Sequence, residues 1–231
     1  MSRPRAMLIE HERATPAGLV LEWLERHDAD VHLVPIDEGA EPDPVEQYDL
    51  IVSLGSEFSA YDDHLPWLGR ELELMRAATA ADVPVLGICF GGQLLARSLG
   101  SDVFRAPEAE IGWLTVDSEQ PDLVAPTPWF QWHFDTFTPP PGARLLARNH
   151  VGPQAFQHGR SLGVQFHPEV NVEIMETWAV VYRHELDEYG VDADRLMDRT
   201  REVAEQACKV SLTLLEGFYD RVAQLDGRKP R

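Results

Sequence analysis

The stretch Pro84-Val85-Leu86-Gly87-Ile88-Cys89-Phe90-Gly91-Gly92-Gln93-Leu94-Leu95-Ala96 decides how this chain folds. Its first half is a short apolar run that reads as a buried strand over residues 85–88, and its second half opens a helical pattern. Between them lies Gly-x-Cys-x-Gly-Gly, the spacing of a nucleophile elbow with sulfur in place of a serine oxygen. Such a turn holds the nucleophile in strained backbone geometry and crowds its neighbours, and glycine at 87 and 91 meets that need. A thiol at the start of a helix feels the positive end of the helix dipole, which favours the thiolate.

The same texture extends to either side of the elbow. Residues 6–9, 31–35 and 50–54 are further apolar strands. Thr15-Pro16 reads as a helix cap with proline at the first helical position, followed by Leu19, Val20, Trp23 and Leu24 at helical spacing. A helix from about Pro66 carries Leu68, Leu72, Met75 and Thr79 on one side. Continuous apolar strands alternating with helices predict a central, mostly parallel sheet covered on both faces, an α/β fold of flavodoxin-like type. Active sites of such sheets lie at the carboxyl ends of the strands. Two loops stand there, Gly55-Ser56-Glu57 and the one at Cys89.

Over residues 101–166 short β-like pieces (103–104, 113–116, 144–147 and 162–166) alternate with loops rich in proline and glycine, which predicts a smaller antiparallel or mixed portion. The remainder reads as helical. Ile174, Met175, Trp178, Val181, Tyr182 and Leu186 share a face, and Leu196, Val203, Ala207, Val210, Leu214 and Phe218 form the stripe of a long amphipathic helix. Most such stripes dock on their own core, and the alternative is a homodimer or partner interface. The expected organisation is one domain over residues 1–188 and a helical C-terminal extension over 189–231 packed on it, with the tail 226–231 frayed.

Composition narrows the function. Of 231 residues, 20 are basic and 39 acidic, a net charge of −19, which argues against nucleic acid and anionic membrane surfaces as partners. No apolar stretch is long enough to span a bilayer, and the N-terminal apolar run is too short for a signal peptide. Two cysteines, Cys89 and Cys208, do not make a disulfide framework, which points to a reducing, cytoplasmic setting. Cys208, inside the long helix, reads as a small core residue. Neither Gly-x-x-x-x-Gly-Lys nor Gly-x-Gly-x-x-Gly occurs, and His184-Glu185 has no second histidine at zinc spacing, so no cofactor or metal is expected. Trp129, Phe130 and Trp132 read as core rather than as a base-stacking platform.

A nucleophilic cysteine needs a base, and that base needs an orienting group. Nine histidines are available, and position selects among them. His167 follows the apolar strand 162–166, so it too sits at a carboxyl end. Glu169 lies two residues on across Pro168, where an extended backbone points both side chains the same way. His11, His27, His32 and His64 read as surface or strand-end residues. His133, beside Trp132, is equally a packed structural histidine or a substrate contact.

Gly87-Ile88-Cys89-Phe90-Gly91-Gly92-Gln93 together with His167-Pro168-Glu169 resembles the class I (triad) glutamine amidotransferases, and within them the free-standing proteins similar to the GMP synthetase glutaminase. Residues 59–63 (Ser-Ala-Tyr-Asp-Asp), 110–113 (Glu-Ile-Gly-Trp) and 131–137 (Gln-Trp-His-Phe-Asp-Thr-Phe) share the likeness, which covers roughly residues 45–170. The resemblance implies Cys89 as nucleophile on the glutamine carboxamide, His167 as acid and base, and Glu169 as its orienting group. It implies a γ-glutamyl thioester and an oxyanion hole from the N–H groups of Phe90 and Ser56. Gly55, Gln93, His133 and Asp135 match positions that hold the substrate, and a separate synthetase or transferase would accept the ammonia. One departure stands out: Gly55-Ser56-Glu57 replaces the usual Gly-Gly-Pro. A serine would hold a glycine-only conformation poorly, and Glu57 could meet a substrate ammonium. The departure gives weight to an alternative, a stand-alone γ-glutamyl amide hydrolase. A further alternative is a non-catalytic regulatory protein with the same fold.

Overall fold

The computed structural model describes residues 3–225, and the expected frayed tail over 226–231 lies outside them. In chain order the strands are β1 (Arg5–Glu10), β2 (Asp30–Pro35), β3 (Leu50–Ser53), β4 (Val85–Ile88), β5 (Val103–Thr115), β6 (Asp117–Ser118), β7 (Pro128–Phe137), β8 (Arg144–Arg148), β9 (Pro153–His158) and β10 (Ser161–Val164). The helices are α1 (Gly18–Arg26), α2 (Leu68–Ala80), α3 (Phe90–Ser98), α4 (Val172–Val181), α5 (Arg183–Glu188) and α6 (Ala193–Gly217).

Eight strands form one sheet in the order β2-β1-β3-β4-β10-β9-β8-β6. The first five are mutually parallel and the last three continue it antiparallel. Side-chain alternation explains why the parallel strands read as unbroken apolar runs. On β1, Ala6 and Leu8 face α1 and the end of α6, while Met7 and Ile9 face α2 and α3. On β3, Leu50 and Val52 face the first layer and Ile51 the second. Every position of β3 and β4 is buried, and all but Ser53 at the end of β3 are non-polar.

The parallel strands all end on the same edge, and that edge carries His11 after β1, Gly55 after β3, Cys89 after β4 and His167 after β10. Backbone bonds tie these loops together: Cys89 N–H donates to Val164 O at 2.8 Å and Gly91 N–H to Leu54 O at 3.1 Å.

A second layer covers this edge. β5 and β7 form a separate antiparallel ribbon, interrupted by a register shift between Arg105 and Glu110. Behind it α4, α5 and the start of α6 supply Ile174, Met175, Trp178, Tyr182, Leu186, Leu196 and Met197, which pack on Phe130 and Trp132. The Asn171 side chain accepts from Ile174 N–H at 2.9 Å and so starts α4 directly after the His-Pro-Glu turn.

Several expectations are corrected here. The pieces at 103–104 and 113–115 belong to the single strand β5, which ends one residue before Val116. Helix α1 starts at Gly18 without a side-chain cap; the Thr15 hydroxyl instead bonds the Glu12 carbonyl at 3.3 Å. Thr79 is only partly buried, its hydroxyl turned back to Met75 O at 2.9 Å, and Val181 is 48% exposed because α4 ends there. The α6 stripe docks on the protein's own core at its two ends, at Leu196 and at Leu214 and Phe218, while Val203, Ala207 and Val210 are partly buried. Cys208 lies on that partly buried stretch rather than in the core. Among the described residues, no helix is long and apolar enough to cross a membrane.

Candidate active site

Cys89 occupies the turn between β4 and α3 with φ 51° and ψ −109°, a left-handed conformation that costs a non-glycine residue roughly 1–3 kcal/mol. The glycines around it are fixed by contact. A Cβ on Gly87 would stand 2.4 Å from the Gly91 carbonyl oxygen, and one on Gly91 would stand 2.2 Å from that of Ser53. The surrounding fold therefore over-determines the strained turn. The thiol opens onto a cavity lined by, among others, Ser56, Phe90, Gln93, Trp132 and His167.

His167 and Glu169 form the pair that their spacing predicts. Nδ1 of His167 lies 2.7 Å from Glu169 Oε1. The ring is clamped edge-on by Trp178 at 5.0 Å between centroids, and Trp178 is itself fixed by donating to Ala14 O at 2.7 Å. The other ring nitrogen, Nε2, lies 3.4 Å from the Trp132 carbonyl. Burial pulls the imidazole pKa down, but the Glu169 carboxylate and the Cys89 sulfur outweigh it and hold the pKa well above the ordinary histidine value. Among the described residues, Glu169 Oε2 is buried without a hydrogen-bond partner.

A second donor reaches the thiol. Gln165 Nε2 stands 3.7 Å from Cys89 Sγ, while its Oε1 accepts from Gln93 Nε2 at 3.1 Å. Gln93 also donates to the Asp135 carbonyl at 3.2 Å, and His133 Nδ1 reaches the same oxygen at 3.0 Å. His133 Nε2 lies 3.1 Å from Glu110 Oε2, close but off the hydrogen-bond direction. Burial pushes the Glu110 carboxyl up, but His133, Asn149 and Gln154 together hold it below its usual value. Both Asp135 carboxylate oxygens are engaged, by Ser59 Oγ at 2.5 Å and the Tyr61 hydroxyl at 3.0 Å. Gln93, His133 and Asp135 thus line the cavity while their polar atoms brace the ribbon.

The Gly55-Ser56-Glu57 loop forms the opposite wall. None of the three residues has a positive φ, so serine stands at 56 without strain. Gly55 is buried against His167: a Cβ there would meet His167 Cε1 at 3.1 Å. Neither Ser56 N–H nor Phe90 N–H has a hydrogen-bond partner among the described residues. Glu57 joins Glu12, Glu185 and Tyr182 along the rim. Burial raises the pKa of Glu12 and of Glu185, and repulsion from Glu57 raises both further. Arg105 is the arginine of the lining. Among the described residues no group of histidine, cysteine, aspartate and glutamate is arranged to hold a metal ion.

Reading the sequence missed Gln165, Glu110 and, above all, His11 with Glu71. His11 is a strand-end residue as expected, but it is wholly buried, its Nε2 2.8 Å from Glu71 Oε2. The sequence held a signal for it. Glu71 falls on the apolar stripe of α2 with Leu68, Leu72 and Met75, where a carboxylate needs a buried partner.

Comparison with known proteins places the chain in a family. The family model "Glutamine amidotransferase class-I" matches residues 18–178. A glutamine-hydrolysing GMP synthase from Aeropyrum pernix is 37% identical over 125 residues, which are 48% of this chain and 24% of that protein. The chain therefore spans about a quarter of the length of that relative. The glutamine amidotransferase-like protein YfeJ of Salmonella typhimurium is 30% identical over 187 residues, covering 74% of this chain and 78% of its own length. A crystal structure of a glutamine amidotransferase from Thermotoga maritima superposes with a TM-score of 0.87 at 30% identity, covering 97% of this chain and all of that one. Another, from Methylobacillus flagellatus, gives 0.81 at 26% identity over 94% of this chain and 96% of its own. The family model covers more than half of the chain, and the chain belongs to the class I glutamine amidotransferase family.

Proposed function

We propose that the protein is a glutaminase that releases ammonia from the glutamine side chain through a Cys89–His167–Glu169 triad. The observation that carries this reading is the strained Cys89 turn sharing one cavity with a His167–Glu169 pair held at 2.7 Å. His167 takes the proton of the Cys89 thiol, and its pairing with Glu169 stabilises the imidazolium that results. The thiolate attacks the carboxamide carbon, and the oxyanion that forms is taken by the N–H groups of Phe90 and Ser56. The imidazolium gives its Nε2 proton to the departing nitrogen, and ammonia leaves a γ-glutamyl thioester. The neutral imidazole then takes a proton from water, whose oxygen attacks the thioester carbon. Glutamate leaves and the thiolate returns.

Gln93, His133 and Asp135 shape the subsite wall in this reading. Arg105 supplies a cation for the α-carboxylate of the amino acid and Glu57 an anion for its α-ammonium. The ammonia acceptor is a separate synthetase or transferase, and the setting is cytoplasmic. The amidotransferase unit ends near residue 188, and the helical extension begins at 189.

A second reading has its own support. Glu57, where the family pattern has proline, stands with Glu12 and Glu185 at the cavity rim, which suits an amine-bearing leaving group. The protein would then hydrolyse γ-glutamyl amides of amines without a partner. Release of glutamate from glutamine and from γ-glutamylated amines, measured with the wild-type chain and Cys89→Ala, separates the readings. Glutaminase function predicts turnover of glutamine that Cys89→Ala abolishes. Selective turnover of the amine conjugates transfers the assignment to the second reading, and turnover that survives in Cys89→Ala ends both.

A further inference from the structure

Behind the Gly55-Ser56-Glu57 loop lies a polar cluster that the triad does not use. His11, Glu71 and Ser53 have no exposed surface. Glu71 accepts from His11 Nε2 at 2.8 Å and from the Ser53 hydroxyl at 2.7 Å, so each carboxylate oxygen is satisfied. The other edge of the imidazole, Nδ1, lies 3.1 Å from the Gly55 carbonyl oxygen, and the Thr15 hydroxyl approaches that oxygen at 3.5 Å. The ring is held between Phe90, 4.7 Å away and edge-on, and Trp67 at 5.3 Å.

A buried ion pair of this kind contributes little net stability compared with apolar packing of the same volume. Its contacts point to another use. A carbonyl oxygen only accepts, so Nδ1 of His11 must carry a proton in this arrangement. The Gly55 carbonyl and the Ser56 N–H are the two ends of one planar trans peptide and point in opposite directions. Fixing the carbonyl on His11 therefore aims the Ser56 N–H away from the buried cluster, toward the cavity that Ser56 and Cys89 line together. Were this peptide turned over, a carbonyl oxygen would face the place where negative charge develops during amide attack.

We propose that His11, anchored by Glu71 and Ser53, is a positioning residue that presets the oxyanion hole by holding the Gly55–Ser56 peptide with its N–H toward Cys89. The inference rests on the reading of Cys89 as an acyl-transfer nucleophile. It means that the loop needs no partner protein to turn it, despite Ser56-Glu57 standing where the family pattern has Gly-Pro.

Two polar substitutions separate this role from a merely structural one. The amide nitrogen of asparagine reaches the place of Nδ1, and that of glutamine the place of Nε2. His11→Asn keeps the donor to Gly55, whereas His11→Gln keeps the partner of Glu71 and loses the bond to Gly55. For glutamine hydrolysis by the full chain, His11→Gln is expected to lower kcat about 10²-fold, the effect of losing one oxyanion donor, with KM little changed. His11→Asn should retain most of kcat. Alkylation of Cys89 by iodoacetamide, which forms no oxyanion, should proceed at the wild-type rate in both. Equal kcat in the two variants, the reverse order, or loss of kcat matched by loss of alkylation overturns the proposal. Should the wild-type chain release no glutamate, the glutaminase reading falls. A crystal structure of His11→Gln then still decides: a turned 55–56 peptide supports the role of His11, and an unmoved one refutes it.

Discussion

Two imidazole–carboxylate pairs flank the same cysteine, and they differ in one respect that separates chemistry from scaffolding. His167–Glu169 and His11–Glu71 have nearly equal lengths, 2.7 and 2.8 Å, and both lie at carboxyl ends of parallel strands. Both imidazoles are held above their ordinary pKa: burial opposes the charge in each, and the partner carboxylate overcomes it. The second nitrogen of His167 makes only a long contact, 3.4 Å to the Trp132 carbonyl, and His167 lines the cavity together with Cys89. That of His11 is closed off by a backbone carbonyl. In the proposed reading the same residue pair serves as acid and base where its imidazole lines the cavity, and as a fixed strut where it is wholly enclosed.

Substitutions at the open pair should give the largest effects. His167→Ala removes the proton carrier and is expected to reduce kcat for glutamine hydrolysis by on the order of 10⁴-fold or more. Glu169→Gln keeps the shape but alters the tautomer and the charge; a loss of about 10³–10⁴-fold in kcat is expected. Steady-state kinetics checks both, and activity within a few-fold of wild type in either variant would put the base elsewhere. On the scaffold side, Ser56→Pro deletes the N–H, besides fixing φ at 56 and restricting Gly55, and should cost at least about 10²–10³-fold in kcat. Ser56→Ala keeps that N–H and should be nearly neutral.

Stability measurements sharpen the contrast further. Glu71→Leu strands the His11 imidazolium and should destabilise the fold by about 3–5 kcal/mol in urea unfolding. The pH dependence has a definite sign. Both folded pKa values exceed the unfolded value of about 6.5, so each pair contributes fully below that pH. As pH rises from there through the folded pKa, the native state holds more protons than the unfolded chain, and stability falls by at most about 1.4 kcal/mol per pH unit for each group. The groups facing His11 are Glu71, Glu12 and Glu10. His11→Asn should therefore show a shallower alkaline loss than wild type, and an unchanged slope would mean that His11 is neutral in the folded state.

The open pair was also the legible one. Cys89, His167 and Glu169 each follow an apolar strand, and a residue type with chemistry at a carboxyl end is what sequence reading finds best. The inner parallel strands were readable for the same reason, since burial on both faces leaves unbroken apolar runs, whereas β2 at the sheet edge is mostly only partly buried. Strand β7 was not, because its Gln131, His133 and Asp135 are buried between cavity and helical layer, and that places polar residues where alternation calls for apolar ones. His11 escaped because its partner is 60 residues away and only the fold brings them together. Thr15 looked like a helix cap, but tertiary contacts at the loop took its hydroxyl.

The central claim is that Cys89 is the nucleophile toward a γ-glutamyl carbonyl. Incubating the wild-type chain with the glutamine analogue 6-diazo-5-oxonorleucine and reading the intact and peptide masses tests it directly. One adduct per chain, on Cys89 and not on Cys208, slowed by added glutamine and absent in Cys89→Ala, is the predicted result. No adduct, or equal labelling of both cysteines that glutamine does not slow, would contradict it.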